Sequence, residues 1–599
     1  MEASAVFQYS ERLKHGEIRV LTVRSDAFDT PVRCTISLEL LDESPQYEAL
    51  SYAWGGYELC QTIWIEGRQC KVTQSVFEAL QWLREPGKIS TLWIDAICIN
   101  QEDILEKNAQ VQMMGTIYER AISTRVWLGP PAPGLESALD DVVRLVAEGV
   151  TQKALGKYRD SMCEIIGRPW HFRVWTLQEV VLSRHSVVSY GHSTCKIEYI
   201  SALGSALLKR PFAETAQVAQ AWHMERNLRS LVHNFVTSII AVHTIHRCIQ
   251  TATVLQSSFL LLPSMTVGRM CADPRDHIFA LRGIHERTSG GNGIAIEIDY
   301  SMSVVEVYSR VTAQGLAKQG GADILVRCLE RCSPIRADNV ERRPKLPSWV
   351  PDWSSPLVST LFCARIYSAG GKLPLKLSYS ALPTHFRRLT LSGCFISQVR
   401  ERYPRLPRAS GDNEQRLPTC RWRQLEELRR WALRRRDVPS PYLEAAEWAF
   451  AQTLIADERP IDETMEVVRN HNRPISTPWR TWEMPQEDWH TRSYQTSGKP
   501  AHVIPESDVT HIHQLTRILS DLIFVVMYSG HFALTGSTVC VDDEIVVFQG
   551  MPMPFIIRHI PGGVSSQMIC PAYVHGFMDG EAMEGVQSGE YMLQEFVIE

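Results

Sequence analysis

The sequence predicts an α/β protein: an N-terminal domain on a mostly parallel sheet, a helical middle region, and a C-terminal α+β region ending in a small antiparallel β domain. Three observations carry that expectation. Over residues 47–205 short apolar runs alternate with stretches of helical period, the order of βα units. Residues 206–330 keep the helical period and lose the strand runs. After residue 529 short runs separated by turns return.

Ile18, Val20, Leu21 and Val23 suggest a first strand, and Cys34 to Leu41 a second. Tyr47 to Gly56, YEALSYAWGG, reads as a strand running into a Gly-terminated turn. Ile63 to Ile65, Gly67 and Cys70 to Thr73 form a hairpin pattern, and Gln74 to Arg84 a helix with Val76, Ala79, Leu80 and Leu83 inward. The stretch Thr91 to Gly129 organises the domain. Leu92, Trp93 and Ile94 make a strand that ends in Asp95, and Asn100, Gln101 and Asp103 make a polar turn. Asp103 stands where a helix N-cap belongs. Ile104, Val111, Met114, Tyr118 and Ala121 then form one apolar stripe, with Asp103, Glu106 and Gln110 along its edge. Val126 to Leu128 is the next strand, closed by Gly129-Pro130-Pro131. Leu135 to Val150 is helical, Arg168 to Ser183 contains a helix with Trp175 and Glu179 one turn apart, and Val187, Val188 and Tyr190 give the last strand.

Beyond this domain the pattern gives helices at Ala219 to Ile249 and Val304 to Gln319, with a turn and short helix in CADPRDHIFALRGI, 271–284. Leu346 to Ser354 is a Pro/Trp-rich extended crossing, and Arg388 to Val399 a strand. An Arg-rich helix at 422–436, a helix at Tyr442 to Asp457 and a Pro-rich loop at 458–510 follow. In the tail Val539 to Asp543, Ile545 to Phe548, Phe555 to Ile560, Ile569 to Phe577 and Met592 to Ile598 read as strands of a small barrel or sandwich. The expected domains are 1–205 with a core at 47–183, 206–385, 386–528 and 529–599.

The chain has 599 residues, more than one core accommodates. A net charge of -5 argues against a dedicated nucleic-acid binder. No run of about 18 apolar residues occurs, so no membrane span is expected. The N-terminus lacks the basic-then-apolar pattern of a secretory signal, and the fifteen Cys lack C-x-x-C pairs. The expected location is cytoplasmic, with reduced thiols. There is no P-loop, no G-x-S-x-G elbow, no H-E-x-x-H and no zinc-spaced ligand set, so no metal or resident cofactor is expected.

Three blocks concentrate polar and aromatic groups at the ends of elements: Ser51 to Gly55 with Trp54, Asp95 through Gln110, and Trp175 through Glu179. A carboxylate at the carboxyl end of a strand is where open α/β sheets place ligand chemistry. Two readings stand. In one, Ser51, Trp54, Gly55, Asp95, Asn100, Gln101, Asp103, Trp175 and Glu179 line a shared cleft. In the other they are caps, turns and packing, with Asp95 a turn anchor that accepts backbone N–H bonds.

The segments YEALSYAWG, LWIDAICINQEDILEKNAQVQMMGTIYERA, RVWLG and FRVWTLQE resemble, in order, the fungal heterokaryon-incompatibility (HET) domain. GEIRVLTV, CADPRDHIFALRGI, DYSMSVVEVYSRVT, LPSWVPDWS, DDEIVVFQGMPMPFIIR and AYVHGFMDGEAM extend the resemblance to large HET-domain proteins, most thinly over 400–530. It implies nonself recognition, with a programmed cell-death reaction when unlike strains fuse, and a recognition partner or self-association. The HET domain is in turn distantly similar to TIR domains, which implies a Rossmann-like sheet. Some TIR domains cleave NAD with the Glu of a W-C-x-x-E pattern. Trp175-Thr176-Leu177-Gln178-Glu179 keeps that Trp–Glu spacing, with Thr176 in place of Cys. The resemblance therefore names NAD as candidate substrate and Glu179 as candidate catalytic carboxylate, with Trp175 stacking or shielding. The other class it leaves open is a non-catalytic assembly module.

Overall fold

The structure is a computed structural model. It describes residues 6–24, 27–56, 58–84, 89–208, 226–251, 266, 269–291, 293–318, 321–326, 346–354, 367–371, 374–379, 388–404, 427–428, 430–433, 450, 453 and 522–599. The chain divides into two compact units, Met1–Val307 and Tyr308–Glu599.

The N-terminal unit is built on strands β1 (Glu17–Val23), β2 (Arg33–Leu40), β3 (Glu48–Tyr52), β4 (Gln61–Ile65), β5 (Arg68–Val72), β6 (Ser90–Trp93), β7 (Ser123–Trp127), β8 (Ser186–Tyr190) and β9 (Ser193–Lys196). They form one sheet in the order β5-β4-β2-β1-β6-β3-β7-β8-β9. The central run β6-β3-β7-β8 is parallel throughout, whereas β1–β2, β4–β5 and β8–β9 are antiparallel. The sheet is thus mixed around a parallel core, because short hairpins can join only antiparallel strands. In the β4–β5 hairpin Glu66 (φ 50) and Gly67 (φ 78) both adopt the left-handed region that a two-residue type I′ turn demands. β3 reads as a near-continuous apolar run, as a strand covered on both faces does, and Ala49 to Tyr52 are all buried.

Helices cover this sheet: α1 (Gln74–Trp82), α2 (Asp95–Cys98), α3 (Ile104–Arg120), α4 (Ala138–Ala147), α5 (Gln152–Lys157), α6 (Arg159–Ile166), α7 (Trp175–Val181), α8 (Ile197–Leu208) and α9 (Arg226–Gln250). A 3₁₀ turn, Pro169–Phe172, leads into α7. α10 (Asp276–Phe279) and α11 (Arg282–Thr288) follow. Leu139, Val142 and Leu145 from α4, Ile165 from α6, Leu177 and Val181 from α7, Leu203 from α8 and Ile239 from α9 belong to one buried cluster with Val126 and Val188 of the sheet. Between the expected strand ending at Asp95 and the polar turn from Asn100 lies one turn of helix, α2, opened by Asp95. Ile104 is not part of the buried stripe. It is the first residue of α3 and 49% exposed, ahead of the point where the helix reaches the core.

In the C-terminal unit the strands are β10 (Leu377–Tyr379), β11 (Leu389–Arg402), β12 (Ile523–Met527), β13 (Phe532–Thr535), β14 (Glu544–Phe548), β15 (Phe555–His559), β16 (Ser565–Val574) and β17 (Leu593–Ile598). β11-β12-β13-β16-β15-β14 pair in sequence, and β14 pairs back onto β11. The ring closes, which leaves those six strands without an open edge. β11 serves β17 with its first half, β14 with its middle and β12 with its end, and its two register shifts let it bend between them. The sheet therefore draws strands from both sides of residue 529. Val539 to Asp543 is a turn leading into β14 rather than a strand, and Glu581–Ser588 is a helix, α14, between β16 and β17. Helices α12 (Val304–Leu316) and α13 (Asp323–Val326) precede these strands. Most of the Arg-rich 422–436 stretch, most of Tyr442 to Asp457 and all of 458–510 lie outside the described residues. Among the described residues no helix is long and apolar enough to cross a membrane.

One buried ion pair ties α3 to the sheet. Glu106 Oε1 accepts from Arg19 Nη1 at 2.5 Å and from the Asn100 backbone N–H at 2.7 Å, and Oε2 from Arg19 Nη2 at 3.1 Å and Leu13 N–H at 3.2 Å. Both side chains are buried. Glu106→Ala strands a buried guanidinium, and the expected cost is about 3–5 kcal/mol. Urea unfolding of the full chain measures it; a loss below about 1 kcal/mol would mean the pair is not desolvated.

Candidate functional site

Parallel strands deliver all their carboxyl ends to one edge of a sheet, and polar residues placed just past those ends share a site. Here Ser51 and Tyr52 end β3, and Asp95 follows β6 across one residue, Ile94. α7 then brings Glu179 over the same edge. The Ser51 hydroxyl donates to Glu179 Oε2, and Trp170 Nε1 donates to Ser51 Oγ at 2.8 Å. The serine oxygen therefore links an indole to a carboxyl. Trp170 reaches it because the Pro169–Phe172 turn packs under the start of α7.

Asp95 is held beside this chain by three donors. Oδ1 accepts from Tyr52 O–H at 3.0 Å and Ala96 N–H at 2.8 Å, and Oδ2 accepts from Trp54 Nε1 at 2.9 Å. Gln101 Nε2 donates to the Asp95 backbone carbonyl at 3.0 Å. Arg173, just before α7, donates to the Tyr52 carbonyl and lies 5.8 Å from the Trp54 ring. Its charge acts on both carboxyls.

Burial dominates the electrostatics. It raises the Asp95 carboxyl above the ordinary range, against Arg173 and the Trp54 and Tyr52 hydrogen bonds. It pushes Glu179, 1% exposed, up to about 7; Arg173 and the Ser51 hydroxyl oppose the rise, Asp95 adds to it and Arg269 opposes it. A carboxyl poised near neutrality in a shielded site is a general feature of acid–base and charge-stabilising residues.

Of the residues singled out by sequence, Ser51, Trp54, Asp95 and Glu179 come together, with Gln101 behind Asp95. Asn100 and Asp103 are spent on local structure. Asn100 Oδ1 accepts from Glu102 N–H at 3.3 Å, while Asp103 caps α3 through Leu105 and Glu106 N–H and pairs with Arg12. Gly55 (φ 68) shapes the turn after β3, and a Cβ there would sit 2.6 Å from Ser75 Oγ. Trp175 is buried one turn before Glu179, and its side chain opposes the rise that burial imposes on the Asp276 carboxyl, which accepts from Tyr300 O–H at 2.7 Å. Sequence reasoning missed Tyr52, Trp170, Arg173, Arg269 and Asp276. Tyr52 lay inside the Ser51–Gly55 block, next to Ser51, and Arg173 stands two residues before the Trp175–Glu179 block. Arg269 carried no local signal.

Residues 47–179 match the family described as Heterokaryon incompatibility protein (HET). The whole chain is similar to Heterokaryon incompatibility protein 6, OR allele, of Neurospora crassa, at 22% identity over 96% of this chain and 96% of that protein. No solved structure matches.

Glu179 ties stability to pH. Its folded-state value is raised from 4.5 to about 7, so the native state binds the proton more tightly than the unfolded chain. The resulting stability is full below about pH 4.5 and is lost as pH rises through about 7. Relative to Glu179→Gln, the parent chain should lose about 3 kcal/mol across that window. Urea unfolding at stepped pH measures the difference; a flat difference would place the ionised carboxylate in a solvated setting.

Proposed function

Residues 47–179 of this chain are a HET domain, and we propose that this heterokaryon-incompatibility protein acts in fungal nonself recognition by hydrolysing NAD at Glu179, leading to programmed cell death. The observation that carries the reading is the Trp170–Ser51–Glu179 chain at the carboxyl edge of the parallel strands, with Asp95 beside it. In the reaction the bond between nicotinamide nitrogen and ribose C1′ breaks. Its electron pair leaves with nicotinamide and cancels the ring's positive charge. The ribosyl carbon becomes oxocarbenium-like, water adds to it, and one proton is released. An ionised Glu179 beside the ribose stabilises that cation, and an approaching cationic ring favours the ionised form. Ser51 orients the carboxylate, and Arg173 stands where a phosphate of the substrate would find a charge.

Glu179 is sealed in this conformation, so the reading requires the Trp170–Ser51 cover to open before substrate enters. A silent resting form suits a cytoplasmic protein whose activity kills the cell that holds it. The same sealing supports a second reading, a non-catalytic module that works by self-association or by binding an incompatibility partner. Asp95 and Ser51 have their hydrogen bonds met from inside the chain, as purely structural residues do.

The test is nicotinamide release from NAD by the purified full chain, alone and artificially clustered, beside Glu179→Ala. The expected result is release that the substitution lowers by at least about a hundredfold. Folded, clustered protein without release, together with cell death that survives Glu179→Ala, would move the assignment to the assembly module.

A further inference from the structure

The family match ends at Glu179, yet the helix that carries Glu179 is gripped by residues far beyond it. Arg269 Nη1 donates to the Arg173 carbonyl at 2.7 Å and to Thr176 Oγ1 at 2.9 Å, and Nη2 donates to Ser238 Oγ on α9. The backbone joins in. Met270 N–H donates to the Phe172 carbonyl at 2.5 Å, and Val174 N–H to the Met270 carbonyl at 3.0 Å. Gly283 N–H donates to Gln178 Oε1 at 2.9 Å, and the Trp175 side chain acts on the Asp276 carboxyl. Residues 176 and 178 of α7 are thus held by the 269–283 segment, while Glu179 turns toward Ser51.

Arg269 is the unusual member of this grip. It is 6% exposed, and its hydrogen-bond acceptors are carbonyls and hydroxyls, none of them an anion. Its Nε has no acceptor among the described residues. A buried guanidinium satisfied only by neutral groups keeps an unquenched charge, which an anion nearby must offset. The anion in its field is Glu179.

We propose that Arg269 is a positioning residue that fixes α7 through Thr176 and the Arg173 carbonyl and adds to the larger counter-charge of Arg173 on Glu179, so that the working HET unit includes the 269–283 segment. The groups acting on Glu179 come from every side: Ser51 on β3, Asp95 on α2, Arg173 ahead of α7, and Arg269; Tyr52 and Tyr118 feel its charge in turn. Burial lowers Arg269 to about 10, and Glu179 resists that fall, the reciprocal of the same coupling. The proposal concerns the ionisation of Glu179 and does not depend on NAD being the substrate.

The experiment is urea unfolding of the full chain across pH 5.5–8.5 for the parent, Glu179→Gln, Arg269→Gln, Arg269→Lys, and the Glu179→Gln/Arg269→Gln and Glu179→Gln/Arg269→Lys double variants. The difference between each chain that keeps Glu179 and the same chain carrying Glu179→Gln isolates the Glu179 titration. Removing the cation should move that midpoint upward, a weaker ionisation, and Arg269→Lys should restore it. A midpoint that does not move overturns the proposal, because a merely structural arginine alters stability at every pH alike. Should Arg269→Gln fail to fold at pH 8, adding Glu179→Gln is expected to restore folding; an unfolded double variant also overturns it.

Discussion

Everything at the carboxyl edge of the N-terminal sheet depends on how a buried carboxyl, Glu179, is kept in balance. A lone carboxylate withdrawn from water is too costly to persist, so it must either hold a proton or face a cation. This chain supplies both routes. Ser51 donates to the carboxyl, and Arg173 and Arg269 offset its charge, while Asp95 works against it. Burial favours the protonated form of Glu179, and the two arginines favour its ionised form, so changes in these surroundings change its charge.

The fold explains why these residues meet. β3 and β6 run parallel, and β6 gives way to α2 beside the later half of β3, which brings Tyr52 and Asp95 within hydrogen-bonding distance although they are far apart in sequence. The Pro169–Phe172 turn sets the angle at which α7 enters, and its Trp170 closes over Ser51. On the helix, the four-residue spacing of Trp175 and Glu179 puts one against Asp276 and the other against Ser51. Moving Glu179 thus means moving a helix that three other segments hold.

How much of this was legible in the sequence follows from the range of each interaction. β1 to β8, α1, α3 and α7 were legible because hydrophobic period is local, whereas β9, β10, β12 and β13 were not anticipated. Asp95 stood out as a carboxylate at the end of an apolar strand and Glu179 through its spacing from Trp175 in the resemblance to TIR domains, and the structure places them in one neighbourhood. Asn100 and Asp103 show the opposite case. Beside an apolar stripe, a cap and a turn residue carry the same pattern as a cleft lining, and only the geometry of Leu105 and Glu106 N–H separates them. Arg269 was invisible because nothing near it in sequence marks it; its partners are on Arg173, Thr176 and Ser238. The closure of the C-terminal ring by β11 and β14 was hidden for the same reason, since strand pairing is non-local and periodicity says nothing of partners.

Catalysis and assembly make different demands on the same geometry, and on the reading proposed here they are not rivals. A site whose polar atoms are satisfied internally is stable and inert. To act on a ligand it must give up hydrogen bonds that only the ligand or a rearranged helix can replace. In this chain α7 is the element whose movement would do so, because it bears Glu179 and meets Ser51, Asp276 and Arg269 at once. Any partner, or a second copy, that binds the displaced form better than the closed one would shift the equilibrium by its differential affinity and no more. Control of the carboxyl then resides in the contacts that hold α7 down, and those of Arg269 and Asp276 come from beyond residues 47–179.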